Sequence, residues 1–397
     1  MAEAWSLDPS ITYLNHGAFG ACPVPVVEDQ RQWRERMEAE PVRFLDRELE
    51  GLLDETRTEV GAAIAADPAG IVFVPNATTA VNTVLAGVPL GPGDEILMSD
   101  HEYGACINAA RRVAHDTGAR LVLRRLPFPL PDPEMLVEGL VAGVTSRTRL
   151  AIISHVTSST ALVFPLDEVV RRLAAQGIDV LVDGAHAPGQ VPVDIGRLAN
   201  AGMVWYAGDG HKWWCGPRGS GFLWVREDRR SGMRPLVTSH GATSPRTDRP
   251  RFLLEFDWTG TLDPTPWLAL PAAIRFVASL LPGGADEVMA ANHELAVQAR
   301  DILCSALGIA PPAPAGMVAS MAAIPLPIGA GTGAMLQRRL FHTSGIEVPV
   351  SSWPGPAVGP AADATTELLR VSAQRYNEPA DYSRLADALP RLLRELA

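Results

Sequence analysis

The sequence predicts an α/β fold, with a mostly parallel central sheet in the larger part of the chain and a smaller α+β region at its C-terminal end. Three observations carry this. Short apolar runs alternate with helical patterns through the first half, and 397 residues exceed what one small core can serve. Beyond about residue 271, strands are fewer and mixed with longer helical stretches.

Ile71–Val74 reads as a strand that leads through Asn76-Ala77-Thr78-Thr79 into helical Ala80–Ala86. Asp94–Met98 is a second strand, followed by a turn at Ser99-Asp100-His101 and a helix through Ala114. Arg120–Leu123, Arg149–Ser154, Asp179–Val182 and Ser220–Val225 follow as further strands. Runs so continuously apolar suit a parallel sheet covered on both faces, with right-handed crossovers. From Pro271 onward the pattern gives helices over Ala272–Leu281 and on to about Leu307, then a strand at Met317–Leu326. A helix near Met335–Ser344, a strand at Glu367–Ala373 and a final helix over Tyr382–Leu396 complete it. Ala310–Gly316 and Pro354–Ala362 read as loops, and no internal repeat is present. The expected organisation is an N-terminal segment (residues 1–20), a large unit over 21–270 and a small one over 271–397.

Composition narrows the function. Apolar residues make up 47% and charged residues 20%, so the chain can bury a core. A net charge of −11 argues against nucleic acid as a partner, because phosphate neutralisation needs a basic face. There is no 18-residue apolar run, and the opening residues hold no basic stretch followed by an apolar one. A cytoplasmic protein with neither membrane span nor secretion signal is expected. Cys22, Cys106, Cys215 and Cys304 are widely spaced with no CxxC pair, which suits a reducing compartment and predicts no metal site.

Lysine and arginine total 34, and Lys212 is the only lysine, leaving 33 arginines. A guanidinium serves ion pairs well but cannot act as an amine nucleophile. Lys212 lies in Gly208-Asp209-Gly210-His211-Lys212-Trp213-Trp214-Cys215-Gly216-Pro217-Arg218-Gly219, a glycine-rich loop between two apolar runs. A phosphate loop would need a glycine before the lysine and a hydroxyl after it, and His211 and Trp213 stand there instead. Asp183, 29 residues upstream, ends an apolar strand, on the edge where open α/β sheets bind ligands. Asn76-Ala77-Thr78-Thr79 opens a helix directly after a strand, a place suited to a phosphate. Amine, carboxylate and anion seat together suit pyridoxal 5′-phosphate (PLP). Lys212 would form the Schiff base, and Asp183 would hold the pyridine nitrogen protonated. Taken singly, Asp183 is equally a turn or capping aspartate, and the Asn76–Thr79 segment an ordinary helix cap.

These residues resemble the fold-type I PLP enzymes of aminotransferase class V, in the isopenicillin N epimerase-like branch. The motifs are YLNHGAFG (13–20), VDGAHAPGQ (182–190), GDGHKWWCGPRG (208–219), WTGTLDPTPWLALPAA (258–273) and LLRVSAQRYN (368–377). The resemblance implies the PLP-dependent transferase fold (aspartate aminotransferase-like), with residues 1–20 contributing to the active site and to the small domain. It makes Lys212 the Schiff-base lysine and Asp183 the pyridine-nitrogen partner. His186 falls near the ring oxygen, as does Ser158 or Ser159, and His101 stacks on the ring. Thr78, with Ala77 or Thr79, binds phosphate with Asp209 and His211 nearby. Many relatives carry a hydroxyl at the position of Asp209, and an acid beside a phosphate is repulsive unless turned away. Thr261 resembles a residue that reaches the phosphate of a neighbouring subunit, implying a homodimer with shared active sites. Arg370 resembles the clamp for a substrate α-carboxylate, with Asn15, His16 and Tyr103 also on the substrate side. Without the resemblance, His101 and His186 read as loop histidines and Arg370 as half of a surface ion pair.

Residues 345–369 contain no cysteine, which disfavours the persulfide chemistry of the cysteine desulfurases in this class. The expected reaction is a C–S β-lyase on an S-substituted cysteine or its sulfoxide, in thiol or specialised metabolism. An epimerase is the runner-up, with His16, Tyr103 or His186 as a second acid–base. An aminotransferase or decarboxylating enzyme, and a non-catalytic scaffold on this fold, are the remaining alternatives.

Overall fold

The computed structural model of the protein describes residues 2–358 and 365–396; the loop expected at Pro354–Ala362 lies partly outside them. A seven-stranded sheet runs in the order Ile71–Val74, Gly221–Val225, Met203–Asp209, Asp179–Gly184, Thr148–Ser154, Glu95–Ser99, Arg120–Arg124. Neighbours from Met203–Asp209 outward to Arg120–Arg124 are parallel, and Gly221–Val225 is antiparallel to both of its neighbours. The expectation of a mostly parallel sheet holds.

Successive strand residues face opposite sides, and both sides are buried. Val180 and Val182 join one apolar core with Ile153, while Leu181 joins the other with Ile152. That two-sided burial makes the strands read as unbroken apolar runs. It also leaves their carboxyl ends, where Ser154 pairs with Asp183, as the natural edge for a ligand.

The C-terminal part builds a third core. Strands Val350–Trp353, Thr366–Ser372 and Met321–Leu326 form an antiparallel sheet in that order. Helices Gly284–Leu307 and Pro379–Arg394 supply Leu303, Leu385 and Leu389 to the same core. The opening residues belong here too. Thr12–Tyr13 pairs in parallel with Ile346–Glu347, and the Ser372 amide donates to the Leu14 carbonyl at 2.9 Å. Among the described residues no single helix is long and apolar enough to cross a membrane. The bent pair Thr265–Ser279 and Gly284–Leu307 matches by length and composition, but its apolar residues Leu270, Val277 and Leu303 are core.

Lys212 sits on the connection between Met203–Asp209 and Gly221–Val225. The Gly210 amide donates to Ser220 O (2.7 Å), the Gly216 amide to Gly210 O (2.9 Å) and the Cys215 amide to Lys212 O (3.0 Å). The N-terminal segment presses against this loop. A β-carbon on Gly20 would lie 2.5 Å from the His211 carbonyl oxygen and 2.7 Å from that of Lys212, so only glycine fits. At Gly221 a β-carbon would meet the Asn76 backbone at 2.5 Å, so glycine there lets the sheet approach the start of helix Ala77–Gly87.

Gly20→Ala is therefore expected to destabilise the chain by about 1–3 kcal/mol, the usual cost of overpacking against backbone. Gly316→Ala, which has open space around it, should stay within about 0.5 kcal/mol. Urea unfolding of both variants checks this, and equal midpoints would contradict it.

Candidate active site

Three strand ends and one helix start converge on Lys212. Ala77, Thr78, Tyr103, Ser154, Val156, Ser158, Asp183, Ala185, His186, Asp209 and Lys212 line a single cleft. The Lys212 ammonium lies 3.2 Å from Asp209 Oδ2 and 3.4 Å from His186 Nε2. His186 is held well below the usual imidazole range, first by burial and then by the charges of Lys212, Arg370 and His211. It is therefore neutral and accepts from the lysine.

Asp183 is buried at the end of its strand. Its Oδ1 accepts from the Ala185 amide (3.1 Å) and its Oδ2 from the Cys106 thiol (3.2 Å). Burial raises its carboxyl above the ordinary value, while its two hydrogen bonds and the Lys212 charge pull it down. Among the described residues no cation comes within ion-pair distance of it. Glu102 lies nearby, fully buried, accepting from Ser99 Oγ (2.9 Å) and Ser154 Oγ (2.5 Å); burial pushes it up to about 8.

Beyond Tyr103 and Ser158 a second cavity of about 530 Å³ opens, and Arg370 lines it. The Arg370 guanidinium is buried, pushed down to about 10 by that burial, and donates to Ser158 O (2.6 Å) and Ser158 Oγ (3.2 Å). Among the described residues it meets no carboxylate, and its Nε has no partner. The surface ion pair that its residue type alone suggests is absent there.

The structure leaves several expected site residues outside the cleft. His101 is completely buried below it, with Nδ1 at 2.7 Å from Thr160 Oγ1 and its ring against Phe128, Phe164 and Trp353. Tyr103, two residues on at the cap of helix Gly104–Thr117, faces the cleft instead. His16 lies behind the lysine loop, with Nδ1 at 2.8 Å from Tyr376 Oη and Nε2 at 3.0 Å from the Lys212 carbonyl. Asn15 donates to Glu347 (3.2 Å) on the same far side. Thr79 turns its hydroxyl to the capping Asn76 side chain (3.1 Å) and does not line the cleft. His211 stands 3.8 Å from Asp209 Oδ2 with its buried Nδ1 unpaired, and Thr261 is exposed on a loop away from this chain's own cleft. Sequence reasoning missed Ser154, Ala185 and the thiol of Cys106. Ser154 was findable, because it ends the strand beside that of Asp183; Cys106 reaches Asp183 across 77 residues with no local signal.

The aminotransferase class-V family model matches residues 12–385. The chain belongs to that family. Isopenicillin N epimerase of Amycolatopsis lactamdurans is 39% identical, with 99% of each chain covered. A probable chloroplastic L-cysteine desulfhydrase of Arabidopsis thaliana is 30% identical over 98% of this chain and 84% of its own length. Among solved structures, a C-DES mutant with glycine covalently linked to its PLP cofactor superposes with a TM-score of 0.77 at 22% identity, covering 96% of each chain. This class-V chain is a PLP-dependent enzyme of the lyase and epimerase kind.

The residues fit that cofactor. A buried carboxylate with no cation beside it (Asp183), a buried imidazole nitrogen without a partner (His186 Nδ1) and a helix start at Ala77 all face one cleft. Asp183 would hold the ring nitrogen, His186 would lie near the ring oxygen and Thr78 would hold the phosphate. Bound PLP supplies an electron sink for a bond broken at the substrate Cα.

His16, His101 and His155 are each pushed down to about 4 by burial. They stay neutral in the fold between about pH 4 and 6.5, where the unfolded chain protonates them, so their contribution to stability is complete above that window and lost as pH falls through it. His155→Gln, which can keep the 3.0 Å contact with Tyr206, should lower the slope of stability against pH by about 1.4 kcal/mol per pH unit within that window. Urea titrations at stepped pH measure it, and an unchanged slope would refute it.

Proposed function

We propose that this enzyme is a C–S β-lyase acting on an S-substituted cysteine or its sulfoxide, with Lys212 as the base that takes the Cα proton. The observation that carries the choice is that two of the three side chains named as a second acid–base, His16 and His186, are engaged elsewhere. Epimerisation needs a proton donor on the face of Cα opposite Lys212. His16 is spent on Tyr376 and the lysine-loop carbonyl, and His186 touches Lys212 itself. Elimination asks for less, a base on one face and a leaving group on the substrate.

Arg370 receives the α-carboxylate in this reading, since a buried guanidinium without an anion is costly until one arrives. Ser158, already bonded to Arg370, sets its direction. Epimerisation stays as the second reading on one observation: Tyr103 reaches the cleft and is 49% exposed, free to act on the other face. The enzyme is read as a cytoplasmic homodimer in which exposed Thr261 reaches the partner's cofactor. The large and small units divide near residue 270, and residues 1–20 join the small one.

Purified enzyme incubated with S-alkyl cysteines is expected to release pyruvate together with the thiol, and with the sulfoxides the corresponding sulfenate product. Recovery in heavy water of Cα-deuterated, inverted substrate without keto acid would transfer the assignment to the epimerase.

A further inference from the structure

Asp209 stands where an acid is least expected. Its Oδ1 accepts from the Ala77 amide at 2.7 Å, the first N–H of an eleven-residue helix. Its Oδ2 lies 3.2 Å from the Lys212 ammonium, and the side chain is almost completely buried. The carboxylate thus takes the helix N–H that an incoming phosphate would use, and it holds the Lys212 ammonium as well. The other charged or titratable groups facing it are His211 from its own loop (3.8 Å), and Asp183 and His186 from the neighbouring strand and its turn; Arg218, further along the loop, acts on His211. Helix Ala77–Gly87 contributes only amides and hydroxyls, since its sequence ATTAVNTVLAG holds no ionisable side chain.

We propose that Asp209 couples cofactor capture to a proton: the carboxylate that caps the helix in the free chain takes up one proton from solvent when the PLP phosphate seats beside it. Two anions in one buried pocket repel, and once Lys212 engages the cofactor its ammonium no longer faces Asp209. A protonated Asp209 donates to the phosphate instead of opposing it. A hydroxyl at this position would do the same without titrating, so the acid adds a pH dependence. The inference rests on PLP as the cofactor and on its phosphate lying at this helix start.

The test follows cofactor-stripped enzyme titrated with PLP, and with pyridoxal lacking the phosphate, by absorbance between about pH 6 and 9. Asp209→Asn and Asp209→Ser are compared with the parent, the second guarding against a fold defect in the first. The ratio of parent to variant Kd for PLP should grow with pH, by up to about tenfold per pH unit, as one linked proton requires. Calorimetry in buffers of different ionisation enthalpy should show one proton fewer taken up by each variant, and pyridoxal, which engages Lys212 but brings no phosphate, should give a ratio that changes less with pH. A flat PLP ratio with equal proton counts would overturn the inference and leave the cofactor site intact. If preference for PLP over pyridoxal survives both Thr78→Val and Asp209→Asn, the phosphate does not lie on this helix, and site reading and inference fall together.

Discussion

The site depends on two groups of opposite charge type, Asp183 and Arg370, buried in adjoining cavities that share Tyr103 and Ser158, and among the described residues neither has a counter-ion within ion-pair distance. Both are almost inaccessible; the Lys212 charge acts on Asp183 from beyond ion-pair distance, and Arg370 leaves its Nε without a partner. Burying an unpaired charge is among the larger penalties a fold can carry. Proteins retain such groups where a ligand supplies the partner, and here the two call for different ones. The carboxylate at the strand end wants a cationic ring nitrogen, and the guanidinium wants a carboxylate. In the proposed reading, a pyridine cofactor carrying an amino acid would meet both demands at once.

The lysine loop is held in place by packing from behind. His16 holds the Lys212 carbonyl, Gln374 reaches both His16 and Cys215, and Gly20 lets the N-terminal segment lie directly on the loop. The segment that does this pairs with residues near 346 and bonds to the strand carrying Arg370. Lys212 and Arg370 are therefore tied together through the opening twenty residues. This accounts for the YLNHGAFG motif better than direct contact with substrate does.

The sheet and the lysine loop were legible because two-sided burial writes continuous apolar runs, and because ligand residues follow the carboxyl ends of such strands. Asp183 and Lys212 are read that way. In Ser99-Asp100-His101-Glu102-Tyr103 the sequence offers two rings with different expected roles, and only the geometry of the following helix decides that Tyr103 lines the cleft while His101 turns into the core. The amphipathic signal also failed early in the chain: helix Val24–Ala39 buries only Val26, leaving no apolar stripe to read. Contacts such as Cys106 with Asp183 depend on distant segments meeting and have no local trace.

The central claim is that Lys212 is the amine that holds the cofactor. It is tested most directly by reducing the purified, PLP-loaded enzyme with borohydride and mapping the modified peptide by mass spectrometry. The account predicts a violet absorption band that reduction abolishes, cofactor mass on the peptide containing Lys212, and neither band nor adduct in Lys212→Ala. A Lys212→Ala protein that keeps the band, or a parent protein that carries the adduct anywhere else, would contradict it.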